Sequence, residues 1–137
     1  MNNAKYLSRL NRSSWITILL LVLIYFLGMY VNLFVEIPQD ASAWQFAMQS
    51  VILLSHLVLG TLLAFHAGSI IYMAIKSRNR TWVVVSLIGL CGILLSIATG
   101  SSFISQQTEM SSFLMAIGLG ISILAYSTGM YLDSNLK

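Results

Sequence analysis

Charged residues are scarce in this chain of 137 residues, since Asp, Glu, Lys and Arg together make up only 8% of it. In soluble domains roughly a quarter of the residues are charged. Because 58% of this chain is hydrophobic, the composition excludes an ordinary soluble domain. Cysteine is equally scarce, because Cys91 stands alone. A single cysteine excludes an internal disulfide, a CxxC redox pair and a thiolate metal cluster, and we expect Cys91 to be a small apolar packing residue.

The motifs of several common enzyme classes are missing as well. The sequence contains no HExxH, no GxSxG and no GxxxxGKS or GxxxxGKT, which are the patterns of zinc peptidases, serine hydrolases and phosphate-binding loops. The carboxylates near Pro38 have no evident nucleophile beside them. We therefore predict a non-catalytic protein and assign no catalytic residue.

What the chain has instead is four apolar runs of about twenty residues each, the length that crosses the ~30 Å hydrocarbon core of a bilayer. A segment in lipid must satisfy its own backbone hydrogen bonds, which favours helices. The first run is longer than the apolar core of a signal peptide, which has about 7–15 residues, so we expect this run to be a transmembrane span. We predict an all-α integral membrane protein, one domain over residues 1–137, with four transmembrane helices in an antiparallel bundle. The predicted spans are Trp15–Val35, Ser50–Ile75, Val83–Ser105 and Phe113–Leu132.

The charges are unevenly distributed between the two sides of this predicted bundle. Glu36, Asp40 and Glu109 fall on one side, where the sequence has no Lys or Arg. Because cations concentrate on the cytoplasmic side, we predict both termini there. The basic residues then face anionic lipid, and we expect no nucleic-acid partner. The cations of the predicted inner side are Lys5, Arg9, Arg12, Lys76, Arg78, Arg80 and Lys137.

Small residues at helical spacing predict how the spans pack, since helices in lipid approach closely along small-xxx-small ridges. The first span has only Gly28, which indicates looser packing. The turn before Thr81 is short enough to make the second and third spans antiparallel neighbours, with Thr81 as the expected N-cap. Part of Ala43–Gln49 is expected at the outer interface unless the second helix tilts. The predicted ridges are Gly60, Ala64 and Gly68; Gly92, Ser96 and Gly100; and Gly118, Ser122, Ala125 and Gly129.

Two histidines lie within the second span, and an ionisable residue inside a span is a functional candidate. His56 and His66 are ten residues apart on one helix, which separates them by about 15 Å along the axis and about 280° around it. They cannot both bind one metal ion or one haem. His56 shares the ridge of Gly60 and is expected to face the bundle interior, whereas His66 is expected to face the first helix or a partner protein.

Further polar residues are expected near the depth of His56, and we predict that Asn32, Glu36, Gln49 and Gln106 form a polar pocket with it. In one interpretation these groups satisfy one another as a hydrogen-bonded plug.

In the other interpretation, His56 is an axial ligand of haem b and Gly60 gives the planar ring access. Met29 or Met115 then supplies the second ligand, or two copies of the chain pair their histidines across a two-fold axis. No metal site beyond this haem iron is expected.

Three stretches carry a resemblance to a group of small four-helix prokaryotic membrane proteins of undefined function. They are Gly28-x-Tyr30-Val31-Asn32-Leu33-Phe34-Val35-x-x-Pro38, His56-x-x-Leu59-Gly60 and Ser111-Ser112-Phe113-Leu114-Met115-Ala116. The resemblance implies a four-helix bundle in the cytoplasmic membrane of a prokaryote. It marks Asn32, Pro38, His56 and Gly60 for testing, without implying an activity. In its span number and in His56 the chain is also loosely similar to half of a haem-handling bundle of the haem A synthase kind.

The sequence leaves two functions open. A chain without extramembrane domains has little surface beyond its lipid-facing sides, which favours an accessory subunit of a larger membrane complex, such as a respiratory one, or a homo-oligomer. The alternative is an electron-transfer protein that binds haem b or a quinone through His56.

Overall fold

A computed structural model of the protein describes residues 3–38 and 42–135, and these ranges contain helices and no strands. Asp40 and Lys137, which enter the orientation prediction, lie outside the described residues. The five helices are α1 (Asn3–Phe34), α2 (Ala43–Gln49), α3 (Val51–Ser77), α4 (Arg80–Gln106) and α5 (Glu109–Asn135).

Four of these helices, α1, α3, α4 and α5, are long and apolar enough to cross a membrane. The prediction of an all-α chain with four such helices is therefore confirmed. α1 begins at Asn3, well before the predicted start at Trp15, and its 32 residues extend over about 48 Å at 1.5 Å per residue. Ala43–Gln49 forms a separate helix, because Ser50 adopts an extended conformation and interrupts the helix before α3.

The four long helices form a ring in which each packs against two neighbours, in the order α1, α3, α4, α5 and back to α1. The diagonal pairs, α1 with α4 and α3 with α5, do not come within 8 Å between Cα atoms in the described part of the chain. Consecutive long helices are antiparallel, since the end of α1 shares a hydrophobic core with the start of α3 and the end of α4, and the start of α1 shares one with the end of α3 and the start of α4. The bundle therefore has an α2 end, where α1 and α4 finish, and a turn end, where the α3–α4 turn lies.

Small residues bring α4 and α5 closest together. A Cβ added at Gly92 would lie 2.5 Å from the Gly118 carbonyl oxygen, and one at Gly118 would lie 2.6 Å from the Gly92 carbonyl oxygen. Ser122 Oγ donates to the carbonyl of Gly89 across the interface at 2.9 Å. Small residues of the ridges predicted on these two helices therefore lie against each other.

The ridge predicted on the second span does not pack in this way. Gly60 and Gly68 have no atom within 4 Å of the position that a Cβ would occupy, so no helix approaches α3 at either glycine. The spacing of small residues shows where a close approach could occur, but the neighbouring helix decides whether it does. Cys91 is exposed on α4, so its predicted packing role is wrong as well.

Two hydrophobic cores fill the bundle, one towards each end. The core towards the turn end draws on all four long helices and includes the fully buried Trp82 and Tyr126. At this end Asn11 of α1 donates to the buried Asp133 of α5 at 2.6 Å. The core at the α2 end takes buried residues from α1, α2, α3, α4 and the segment after α1, among them Val31 and Ile104, and none from α5. α1 and α5 are therefore joined at the turn end and share no hydrophobic core at the α2 end.

The helix ends differ from the prediction at the turn between α3 and α4. Asn79 is the N-cap of α4, because its side-chain oxygen accepts from the backbone N–H of Trp82 at 3.2 Å. Thr81, the expected cap, already lies inside the helix. The left-handed conformation of Arg78, with φ of 55°, ends α3 and places Asn79 where an N-cap is needed.

Candidate functional site

A cavity of about 250 Å³ lies between the four long helices, towards the α2 end. Its lining is mostly apolar, and it contains five of the residues that the sequence singles out: Met29 and Asn32 of α1, His56 and Gly60 of α3, and Met115 of α5. The structure therefore brings together residues that are far apart in the sequence. α4 contributes small residues to the lining, among them Ser96 and Gly100.

The imidazole ring of His56, which belongs to α3, fits against α1 because Gly28 of α1 has no side chain. A Cβ at Gly28 would lie 3.2 Å from Cε1 of the His56 imidazole, so the ring packs directly on the backbone of α1. The side chain is partly buried, and its Nδ1 is buried without a hydrogen-bond partner among the described residues. The sequence predicts loose packing of the first span from its single Gly28. In the structure, the imidazole ring of His56 packs against the backbone at Gly28.

Met115 is fixed on the opposite wall by its contacts with α4. The sulfur of Met115 packs close to Gly100, where an added Cβ would lie 3.3 Å from it. The backbone carbonyl oxygen of Met115 accepts a hydrogen bond from Ser96 Oγ at 2.9 Å. Met29, in contrast, is 41% exposed. The two methionines that were considered as haem ligands therefore differ, since one is packed inside the bundle and the other reaches its surface.

A second, more polar cleft lies beside this cavity at the α2 end, between the end of α1 and the start of α5. Glu36 and Glu109 both line this cleft, and both side chains are exposed. Gln107 also lines it and donates through Nε2 to the carbonyl oxygens of Ile37 and Pro38, at 2.9 and 3.1 Å. Gln107 thereby ties the turn before α5 to the segment after α1.

The cleft adjoins the cavity, because Asn32, Phe103, Ser112 and Ala116 line both. Asn32 of α1 and Ala116 of α5 are exposed, and α5 contributes nothing to the hydrophobic core at this end. The site is consequently open between α1 and α5, with the two carboxylates at its mouth and His56 inside.

Two of the residues predicted for the polar pocket, Gln49 and Gln106, lie outside the site. Gln49, at the end of α2, and Gln106, at the end of α4, are exposed and line neither the cavity nor the cleft. Glu36 lines the cleft and not the cavity. His66 is partly buried against α1, where its Nε2 lies 3.4 Å from the Ser13 carbonyl oxygen. A partner for His66 stays a prediction.

The hydrogen bonds around the cavity do not form the plug that was one interpretation of the sequence. Thr61 Oγ1 donates to the carbonyl of Leu57 at 2.9 Å, and Ser101 Oγ donates to that of Ile97 at 3.0 Å. These hydroxyls satisfy the backbone of their own helices and leave Nδ1 of His56 unpartnered.

Sequence reasoning missed Gln107 by one residue and did not see the role of Gly28. Gln107 has a left-handed backbone, with φ of 51°, and ends α4. Its side chain therefore leaves the direction set by the helix, which the periodicity of the span does not predict. For Gly28, a glycine at the level of a histidine on a neighbouring span would have been the signal.

Comparison of the chain with protein-family models, with curated proteins and with solved structures found no match. The functional argument therefore depends on the geometry of the cavity itself.

Proposed function

We propose that this chain is a small, non-catalytic integral membrane protein that holds the compact head of a lipophilic molecule in the cavity around His56. The observation that carries the proposal is the buried Nδ1 of His56, which has no hydrogen-bond partner beside a mostly apolar cavity. A buried polar atom without a partner costs about 1–3 kcal/mol. Because Nδ1 is itself buried, a ligand with a hydrogen-bonding group supplies that partner once the imidazole, which lines the cavity, turns Nδ1 towards it.

The size of the cavity limits what it accepts. Its volume of about 250 Å³ lies below the ~300–1,000 Å³ that is usual for sites of drug-sized ligands. The head of a ligand therefore occupies the cavity, while its tail leaves through the opening between α1 and α5. Haem b, with its four pyrrole rings, requires these helices to separate further, so the cavity favours a smaller head; haem ligation by His56 with Met29 or Met115 stays a prediction.

The test is an extraction experiment on the full chain, purified in a mild uncharged detergent from the membranes in which it is expressed. We expect solvent extraction and mass spectrometry to recover one lipophilic species in near-equal amount to the protein, enriched over the bulk lipid of the same membranes. An optical spectrum before and after dithionite reduction distinguishes a haem from a ligand without visible absorption. Recovery of bulk lipid alone, in bulk proportions, would contradict the proposal.

An accessory role in a larger complex, or a homo-oligomer, is compatible with this proposal because the site is internal and the outer faces of the helices stay available. Large apolar side chains are exposed along α1, with Leu19 at 64%, Phe26 at 65% and Phe34 at 70%. Lipid tails or a neighbouring membrane protein can cover such a surface. Elution of the gently purified chain with other subunits would support the accessory role.

We propose that the turn end faces the cytoplasm and that both termini lie on that side. Support comes from the charges, since Arg12 and Arg78 lie at the turn end, whereas Glu36 and Glu109 lie at the α2 end, and cations concentrate on the cytoplasmic side.

Cysteine labelling tests this orientation in a Cys91→Ala background. We expect a membrane-impermeant maleimide to label Glu109→Cys in intact cells and to label Arg78→Cys only after lysis. The two variants are matched controls, because both positions are exposed at a helix end. The reverse pattern would place the α2 end inside the cell.

A further inference from the structure

We infer that the ligand of the His56 cavity is a neutral molecule with ring carbonyl groups, of the quinone class, and that Glu36 and Glu109 keep anionic lipids and fatty acids out. This inference rests on the proposed function and adds to it the charge and the chemical class of the ligand. Three features carry it: the charge at the mouth, the apolar lining, and the unpartnered imidazole nitrogen.

The mouth of the cavity is charged with one sign only. Glu36 and Glu109 line the cleft beside the cavity, and among the described residues no Lys or Arg lines either of the two. The sequence places no Lys or Arg between Arg12 and Lys76, or between Arg80 and Lys137. The part of the α2 end that the structure describes therefore has no cation to offset the two carboxylates, and like charges brought together cost binding free energy. A fatty acid, a phospholipid phosphate and the propionates of haem are all anions and meet this repulsion.

The interior is unfavourable for a cation as well. The lining of the cavity is mostly apolar, and the described residues that form it include neither an Asp nor a Glu. A buried charge without a partner is costly. A cationic head would therefore be held at the mouth by the carboxylates and would gain nothing by moving inward. The neutral state is the one that can pass the mouth and enter the cavity.

His56 and the glycines around it specify the shape and chemistry of a neutral head. An imidazole N–H donates to a carbonyl oxygen, and Nδ1 of His56 has no competing partner. Gly60 has no atom within 4 Å of a Cβ position, so the wall beside His56 is open. A flat ring with carbonyl groups satisfies these conditions, and an apolar tail on that ring fits the opening between α1 and α5.

Met29 and Met115, two of the seven methionines, line the cavity. The NMR signals of their methyl groups therefore report binding in the cavity. The full chain, labelled with ¹³C at the methionine methyl groups, is titrated in an uncharged detergent with three probes that share one tail. These are 2-decyl-1,4-benzoquinone, 4-decylbenzoate and decylbenzene. The signals of Met48, Met73 and Met130, which line neither the cavity nor the cleft, serve as internal controls.

We expect the quinone to shift the Met29 and Met115 signals saturably, and the benzoate to need about tenfold higher concentration because of repulsion at the mouth. The double variant Glu36→Gln with Glu109→Gln should reduce the preference for quinone over benzoate. His56→Leu should reduce the preference for quinone over decylbenzene by about three- to tenfold, the effect of one hydrogen bond. His56→Asn, which retains an N–H donor, should keep part of that preference.

The outcomes separate this inference from the proposed function. Equal affinity of the three probes, or tighter binding of the benzoate, would overturn the inference and leave a cavity that binds lipophilic heads. A quinone that binds no better than decylbenzene would remove the quinone class. Binding by none of the three at the Met29 and Met115 signals would overturn the inference and the proposed function together.

Discussion

Replacing Gly118 by alanine is expected to destabilise the bundle by about 1–3 kcal/mol, the usual range for overpacking a close contact. The added Cβ would lie 2.6 Å from the Gly92 carbonyl oxygen and 2.6 Å from Ser96 Oγ. A backbone carbonyl cannot move aside as a flexible side chain can, so α5 must shift away from α4. That shift also lengthens the hydrogen bond from Ser96 to the carbonyl of Met115, which measures 2.9 Å.

Gly120→Ala is the matched control on the same helix. No atom lies within 4 Å of a Cβ at Gly120, and alanine stabilises a helix interior over glycine by about 0.5–1 kcal/mol. The same substitution, two residues apart, should therefore change the free energy of unfolding in opposite directions. Unfolding in mixed micelles with increasing dodecyl sulfate, followed by circular dichroism, measures both. Equal stability of the two variants would contradict the α4–α5 packing described here.

Filling the cavity from Gly60 is expected to abolish ligand binding without unfolding the protein. Gly60 lines the cavity one helical turn from His56, and a Cβ there meets no atom within 4 Å. The side chain of Gly60→Leu therefore has space in the cavity, which is the space that the ligand head needs. We expect the affinity for 2-decyl-1,4-benzoquinone to fall by about a hundredfold, a loss of about 2.8 kcal/mol in binding free energy.

Gly68→Leu provides the matched control, because Gly68 lies two turns further along α3, is equally open, and lines neither the cavity nor the cleft. Both variants remove a glycine from a helix interior, so both should unfold at or above the temperature of the unaltered chain. Only Gly60→Leu should lose the ligand-dependent shift of the Met115 methyl signal. Loss of binding in both variants, or in neither, would show that the cavity is not the binding site.

Much of this fold can be predicted from the sequence, because span length and small-residue spacing follow from the physics of the bilayer. The four apolar helices and the close helix approach at the small residues Gly92 and Gly118 are examples. The ridge predicted from Gly60 and Gly68 is wrong, because spacing along one helix says nothing about the distance to the next. The same limit hides the opening between α1 and α5, which depends on how two helices distant in the sequence diverge.

The structure brings together some of the residues that the sequence singles out for a site, and whether they bind a ligand stays a prediction. His56, Gly60, Asn32, Met29 and Met115 line one cavity, and helical periodicity was enough to select them, because each lies within a regular helix. The errors concern residues at helix ends.

Gln106 was chosen for the predicted pocket, whereas its neighbour Gln107 holds the turn through the carbonyls of Ile37 and Pro38. A left-handed residue at the end of α4 redirects the side chain. Similarly, the left-handed Arg78 shifts the cap of α4 to Asn79. Periodicity applies within a helix and loses its meaning where the backbone leaves the helical conformation.

The most direct test of the central claim is to locate a bound head group with heavy atoms. Crystals of the full chain, grown in an uncharged detergent and soaked with a brominated decylbenzoquinone, would be measured at the bromine absorption edge. The account predicts an anomalous peak inside the bundle, beside the His56 imidazole and between α1 and α5, which disappears in Gly60→Leu and persists in Gly68→Leu. Bromine peaks confined to the lipid-facing surface, with the cavity unchanged, would contradict it.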